Sequence, residues 1–323
     1  MPSPTGMPHI DVYGVKQVDR LARLFFDYEA KLALRTKVAT AYQDHFNDLM
    51  EGVHNSHFIR VRPAGSVGDR KCDGYLIPAD TVFQVYAPTS VKINVWTAKI
   101  ADDFDGARAQ WDSMRSWVFV HNQHEGLPPD IAQAILAIKE ANPGLIIDQW
   151  PPSHLLELTV HMQEDQLIGV FGYPPRDKDM RTLHRGDIAI AVAGLARESE
   201  SWKPGAKDLP TVDPRKLDFN SLSEHRRRLI TAGIAQTSMV EGYFDNNPDP
   251  NLRDRAAMLM KNKWRQLRLT ATADDAFDVI FQHMMENSEG SRSLTASLAL
   301  FAHLFEACDI FDSPPLNWHG IAS

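Results

Sequence analysis

The run Trp117-Val118-Phe119-Val120 constrains this 323-residue chain more than any other stretch. A strand with one wet face alternates apolar and polar residues, whereas four consecutive aromatic and β-branched residues fit a strand covered on both faces. Such a strand needs helices on either side of its sheet, which commits the surrounding chain to a layered α/β arrangement. The flanking sequence supplies those layers. Apolar residues at helical spacing run from Gln17 to Met50 (Leu21, Leu24, Phe25, Tyr28 and Leu32, then Val38, Tyr42, Phe46, Leu49 and Met50), giving one long helix or two in succession. Ile100 to Arg115 places Phe104, Ala107, Trp111 and Met114 on one helical face, and Pro129 to Glu140 forms a further helix with proline near its start.

Short strands are expected at Phe58 to Val61, Gly74 to Ile77, Thr81 to Tyr86 and Leu145 to Asp148, with the second and third joined by a Pro78-Ala79-Asp80 turn into a hairpin. The resulting order is helix, three strands, helix, strand, helix, strand, an α/β sandwich occupying residues 1–175. After Gly172-Tyr173-Pro174-Pro175 the pattern changes. Residues 176–214 read as a polar, Pro- and Gly-punctuated linker around one apolar helix, Ile188 to Leu195. Residues 215–323 read as an all-α helical domain, with helices at Leu222 to Ile234, Thr237 to Phe244, Asn251 to Leu269, Ala273 to Met285 and Leu294 to Ala307.

Composition narrows the function. With 34 Lys and Arg against 42 Asp and Glu, the formal net charge is −8, so the molecule as a whole repels a polyanion. Nucleic-acid contact then has to come from a local basic face, a bound metal or a partner. Cys72 and Cys308 stand far apart and make neither a zinc-site spacing nor a disulfide framework, which fits a reducing cytoplasm. The opening MPSPTGMPHIDVYGV lacks the pattern of a signal peptide, and no apolar run reaches the length of a membrane span, so a soluble intracellular protein is expected.

The stretch Gly68 to Pro88, GDRKCDGYLIPADTVFQVYAP, carries the candidate chemistry. Asp73 and Gln84 are eleven positions apart, which a tight hairpin sets side by side at one edge of a sheet. GDRKCDGYL followed by VFQVYAP resembles the Asp-Gly and Gln-x-Lys strands of Mrr-like restriction endonucleases in the PD-(D/E)XK superfamily, and Tyr42-Gln43 resembles the Phe-Glu pair that many of these nucleases carry upstream. The resemblance implies a PD-(D/E)XK-like restriction-endonuclease sandwich and Mg²⁺- or Mn²⁺-dependent phosphodiester hydrolysis. Asp73, Gln84 and Gln43 would hold the metal, with Asp44 assisting. Tyr86 stands where the family has its lysine, and Gln43 where it has a glutamate. The charge-stabilising cation would have to come from Lys71, Lys92 or Lys99, because a tyrosine supplies none. The alternative is a fold of this type that has lost its catalytic lysine and glutamate and serves as a scaffold.

Ordinary readings stand beside these. An Asp-Gly pair is most often a turn whose Asp bonds nearby backbone, and a Gln in an apolar strand is most often a satisfied buried polar residue. Trp96, Trp111 and Trp117 read as packing, His121-Asn122 as a polar strand end, and Arg226-Arg227-Arg228 as a solvated helix face.

The second half carries its own resemblance. KLDFNSLSEHRRRLITAG, VEGYFDN and FAHLFEACDIFDSPP, with WVFVHN and LIGVFGYPP earlier, are similar to proteins of bacterial ABC-three-component conflict systems, which include Lamassu-type antiphage defence. The resemblance implies an oligomeric complex with an SMC-like ABC ATPase and a small middle component, which would deliver the DNA. Phe301, Leu304, Phe305, Ile310 and Phe311 are more large apolar groups than a helical unit of this size readily hides, so they are expected to form a docking surface, with Cys308 an inert buried thiol.

Overall fold

The computed structural model describes residues 18–62, 71–199, 219–286, 288–307 and 311. The chain divides into an α/β unit, residues 29–172, and a helical unit made of residues 1–28 and 173–323. The first boundary falls within α1 (Arg20–Thr36), so the described residues 18–28 group with the helical unit.

The α/β unit continues with α2 (Ala39–His54), β1 (Phe58–Arg60), β2 (Gly74–Leu76), β3 (Thr81–Tyr86), α3 (Ile93–Gln110), β4 (Ser116–His121), α4 (Pro129–Ala141), β5 (Ile146–Trp150), α5 (Pro152–His161) and α6 (Glu164–Phe171). The sheet order is β1-β2-β3-β4-β5. β1, β2 and β3 pair antiparallel, while β3, β4 and β5 run parallel through helical crossovers. All six residues of β4 are buried, as the unbroken apolar run requires. On one face Phe46 of α2 packs against Phe58 and Phe83, and Phe83 against Trp150. On the other, Trp96 and Phe104 of α3 close over Phe119 and Trp117.

Local chemistry fixes the β2–β3 connection. Ile77–Ala79 form a single 3₁₀ turn, and Asp80 takes a left-handed conformation with φ of 45°. Its carboxylate accepts from Tyr75 Oη at 2.9 Å, and its carbonyl accepts from Arg115 N at 2.9 Å, which ties the turn to the start of β4. A Cβ at Gly74 would lie 2.3 Å from Phe58 Cζ, so glycine is what lets that ring reach the Phe46–Phe83 cluster.

In the helical unit, α1 is followed by α7 (Asp177–Arg181), α8 (Arg185–Ser199), α9 (Glu224–Ile234), α10 (Thr237–Asp245), α11 (Leu252–Leu267), α12 (Ala273–Met285) and α13 (Gly290–Ala307). α8, expected in a linker, packs against α11 and α13 and is part of this unit; residues 200–214 of that expected linker lie outside the described residues. α9 and α13 approach closely at Gly233, where a Cβ would come within 2.6 Å of Ala302 Cβ.

Two expectations for this half are corrected. Arg226 is 2% exposed and is not part of a solvated face. Its guanidinium meets Asp278 Oδ2 at 2.6 Å and Asp274 Oδ2 at 2.7 Å, and Asp278 also accepts from Tyr28 Oη at 3.1 Å. Phe301, Leu304, Phe305 and Phe311 offer no docking surface either, being at most 3% exposed. Phe311 seats against Trp264 and Phe305, with ring centroids 4.2 and 4.5 Å away, and Phe301 packs on Phe277 and Phe281. Ile310 and Cys308 lie outside the described residues.

Candidate functional site

Asp73 sits immediately before β2, where its backbone extends the pairing: its N–H donates to Phe83 O at 2.8 Å and its carbonyl accepts from Val61 N at 3.3 Å. The β2–β3 ladder pairs Gly74 with Phe83, and Asp73 adds to it by donating to the same Phe83 carbonyl, which puts Asp73 beside the stretch Phe83 to Val85. The carboxylate itself is engaged at both oxygens. Oδ2 accepts the Val85 backbone N–H at 2.6 Å, and Oδ1 accepts from Gln43 Nε2 at 2.6 Å. With Asp73 only 3% exposed, these bonds tie α2 to β3 through one side chain. The structure thus brings Gln43 and Asp73 into direct contact.

Gln84 is equally buried at 3% exposure, and its Oε1 has no hydrogen-bond partner among the described residues. By strand alternation it shares a face with Val82 and Tyr86. Tyr86, at the position of the family's lysine, is half-buried and meets the Trp96 ring edge-on at a centroid separation of 5.0 Å.

The candidate lysines lie elsewhere. Lys71, at a positive φ of 58°, reaches across Gly106 to α3, where its ammonium contacts Asp102 and, at 3.1 Å, Asp103 Oδ1. The Asp102 hydrogen bond leads the effects that hold the Lys71 pKa above its usual value. Lys99 binds the other oxygen of Asp103 at 2.6 Å and sits 5.3 Å from the centre of the Tyr86 ring. Lys92 is exposed at the entry to α3. Asp44 is exposed and faces Arg60 at 3.8 Å, in a surface group that also holds Asp48 and Glu51.

Asp103 is the residue that sequence reasoning missed. It is fully buried between two lysines, and the signal available was its i,i+4 spacing from Lys99 on a helix. His121 closes the end of β4, with Nε2 2.6 Å from Gln149 Oε1 and its carbonyl accepting from Tyr42 Oη at 3.0 Å. Burial is the main cause that lowers the His121 pKa, so its ring is held neutral at the sheet end.

The donor set near Asp73 is sparse for Mg²⁺. The ion favours carboxylate oxygens and water, and the position offers one carboxylate, already accepting N–H at both oxygens, beside two amides. Among the described residues no group of three or more His, Cys, Asp or Glu is placed to hold a metal.

Residues 187–312 match the family model for C-terminal domain 10 of the ABC-three component (ABC-3C) systems. The match opens near the start of α8 and spans the rest of the described helical unit, which supports a protein of an ABC-three-component system. It suggests a defence role and partner subunits, and it leaves Asp73 and the α/β unit outside the matched residues. No curated protein and no solved structure matches the chain. Among the described residues no helix is long and apolar enough to cross a membrane.

Proposed function

We propose that this chain is a subunit of an ABC-three-component defence complex, in which the α/β unit is a nuclease-type PD-(D/E)XK fold retained as a scaffold and the helical unit serves assembly. The order helix, three-strand meander, helix, strand, helix, strand supports the fold reading. The observation that carries the scaffold reading is Asp73, both of whose carboxylate oxygens accept N–H bonds that join α2 to β3. Tyr86 and Lys71 agree with it: the first packs on Trp96, the second is drawn to α3. The SMC-like ATPase and the middle component are the partners this reading requires, and DNA is reached through them.

Gln84 favours a second reading. A buried carbonyl oxygen with no partner among the described residues is an acceptor that a cation would satisfy, so a metal-dependent nuclease using Asp73, Gln84 and Gln43 with Lys71 or Lys92 is the competing proposal. The deciding experiment is cleavage of plasmid and linear DNA in Mg²⁺ and in Mn²⁺, by the chain alone and with its partner subunits. The expected result is no metal-dependent cleavage while the complex still assembles. Cleavage that disappears in Asp73→Asn and Gln84→Ala would overturn the scaffold and establish the nuclease.

A further inference from the structure

A cleft of about 370 Å³ opens in the helical unit among α8, α12 and α13, within the residues that match the family model. That volume lies in the range of small-molecule sites, which combine an apolar body with a few converging polar groups. Leu195 and Met284, both buried, give the cleft an apolar floor. Hydroxyls line one side: Ser293 and Ser297 stand one turn apart on α13, and Ser288 Oγ lies 2.8 Å from Ser297 Oγ.

Charge lines the rest, through Arg197, Glu198 and His283. Glu198 is already engaged, with Oε1 at 2.8 Å from Lys263 Nζ and Oε2 at 2.7 Å from His283 Nε2. Burial pushes its carboxyl up, but the hydrogen bonds from Lys263 and His283 outweigh that and hold it below the usual carboxylate range. Glu198 is paired with Lys263, and Glu286 stands outside the lining with Oε2 3.7 Å from His283 Nδ1, while Arg197 of the lining is exposed at the rim and meets no carboxylate among the described residues. The cleft therefore offers one unspent guanidinium, a row of hydroxyls and an apolar floor.

We propose that this cleft binds a phosphate monoester of nucleotide size. Arg197 takes the phosphate in its planar fork, the three serines and the Glu198–His283 edge take hydroxyl groups of the ligand, and Leu195 and Met284 receive its ring. The proposal concerns the helical unit alone and is independent of whether the α/β unit cleaves DNA.

The test is calorimetric titration of the full chain with adenosine 5′-monophosphate, adenosine and inorganic phosphate as separate probes. The monophosphate should bind saturably at one site, with adenosine and inorganic phosphate each about tenfold weaker or worse. Arg197→Ala should weaken the monophosphate by about tenfold or more, since a charge-assisted bidentate contact is lost. Ala193 is exposed and lines the cleft, so Ala193→Phe should fill it and abolish binding without touching the core. Circular dichroism confirms that both variants fold. Absence of saturable binding by the monophosphate overturns the proposal. So does binding that survives unchanged in both variants, or adenosine or inorganic phosphate binding as tightly as the monophosphate.

Discussion

Two buried carboxylates, one in each unit, are held by different means. In the α/β unit, Asp73 accepts N–H bonds from the Gln43 amide and the Val85 backbone. In the helical unit, Asp278 takes the Arg226 guanidinium on both oxygens, at 2.7 and 2.6 Å, while Asp274 takes its other end. Burial alone would lower the Arg226 pKa, and the hydrogen bonds and charges of Asp278 and Asp274 outweigh that and raise it. The neutral donors around Asp73 set a strand edge and a helix at a fixed register. The ion cluster balances charges that would each be expensive alone. Removing Arg226 should therefore cost far more than removing Asp73, while Asp103 between Lys71 and Lys99 is an ion cluster of the α/β unit's own.

Arg226→Met is the strongest test of that contrast. It strands Asp278 and part of Asp274 in a buried site, and a loss of about 3 to 5 kcal/mol from the helical unit is expected in urea unfolding. A loss under about 1 kcal/mol would mean that water reaches the carboxylates and that the contrast is false.

Acidification sharpens the comparison by touching both units alike. Burial first, then Lys37, pushes the His45 imidazole down to about 4, and burial first, then Arg253, does the same to His303, also to about 4. Each ring is neutral in the folded chain and gains a proton more readily when unfolded. Stability is therefore full above about pH 6.5 and is lost as pH falls from there towards about 4, by roughly 3 kcal/mol per histidine. Unfolding midpoints measured from pH 7 to pH 4.5 should fall along this slope. His303→Phe should flatten it for the helical unit and His45→Phe for the α/β unit; an unchanged slope in either variant assigns the acid sensitivity elsewhere.

The smallest effect belongs to Asp73. Asp73→Ala leaves the buried Val85 N–H without its acceptor and should cost roughly 1 to 3 kcal/mol in the α/β unit, with Asp73→Asn costing less because an amide oxygen can still accept. Adding Mg²⁺ should leave the melting temperature of the wild-type chain unchanged under the scaffold reading. A metal-dependent rise that Asp73→Asn removes would favour the nuclease.

Much of the α/β unit was legible in advance. The runs at β3 and β4 are apolar, β-branched and flanked by turn residues, and they fold as strands within one residue of the expected bounds. α5 and α6 were not foreseen, because they are short and are separated by Met162 and Gln163 with no long periodic run between them. α6 declares itself only through its capping box, in which Gln163 N donates to Gln166 Oε1 at 2.7 Å.

The candidate site was legible where spacing decides and illegible where space decides. That Asp73 lies alongside β3 follows from the hairpin, its N–H meeting Phe83 O and its carboxylate the Val85 N–H. That Lys71 turns to Asp102 and Asp103 depends on a positive φ and on a helix about thirty residues further on, which no local pattern encodes. Arg226 looks like its two neighbours in sequence, and its burial follows from Asp274 and Asp278, one turn apart on α12. The aromatic residues at the end of the chain appeared surplus because apolar spacing does not show how helices face one another: Phe301 packs on Phe277 and Phe281 of α12, and Phe311 on Trp264 of α11 and on Phe305.

Cys72, next to Asp73, is fully buried, and its thiol lies 3.2 Å from Gly74 O. It is shielded from alkylating reagents so long as β2 stays paired, and it becomes reactive when that strand lifts from the sheet. The chain thus carries an internal clock for the opening of its own hairpin: the labelling rate of Cys72, told apart from Cys308 by peptide mapping, reports how often β2 comes undone from between β1 and β3.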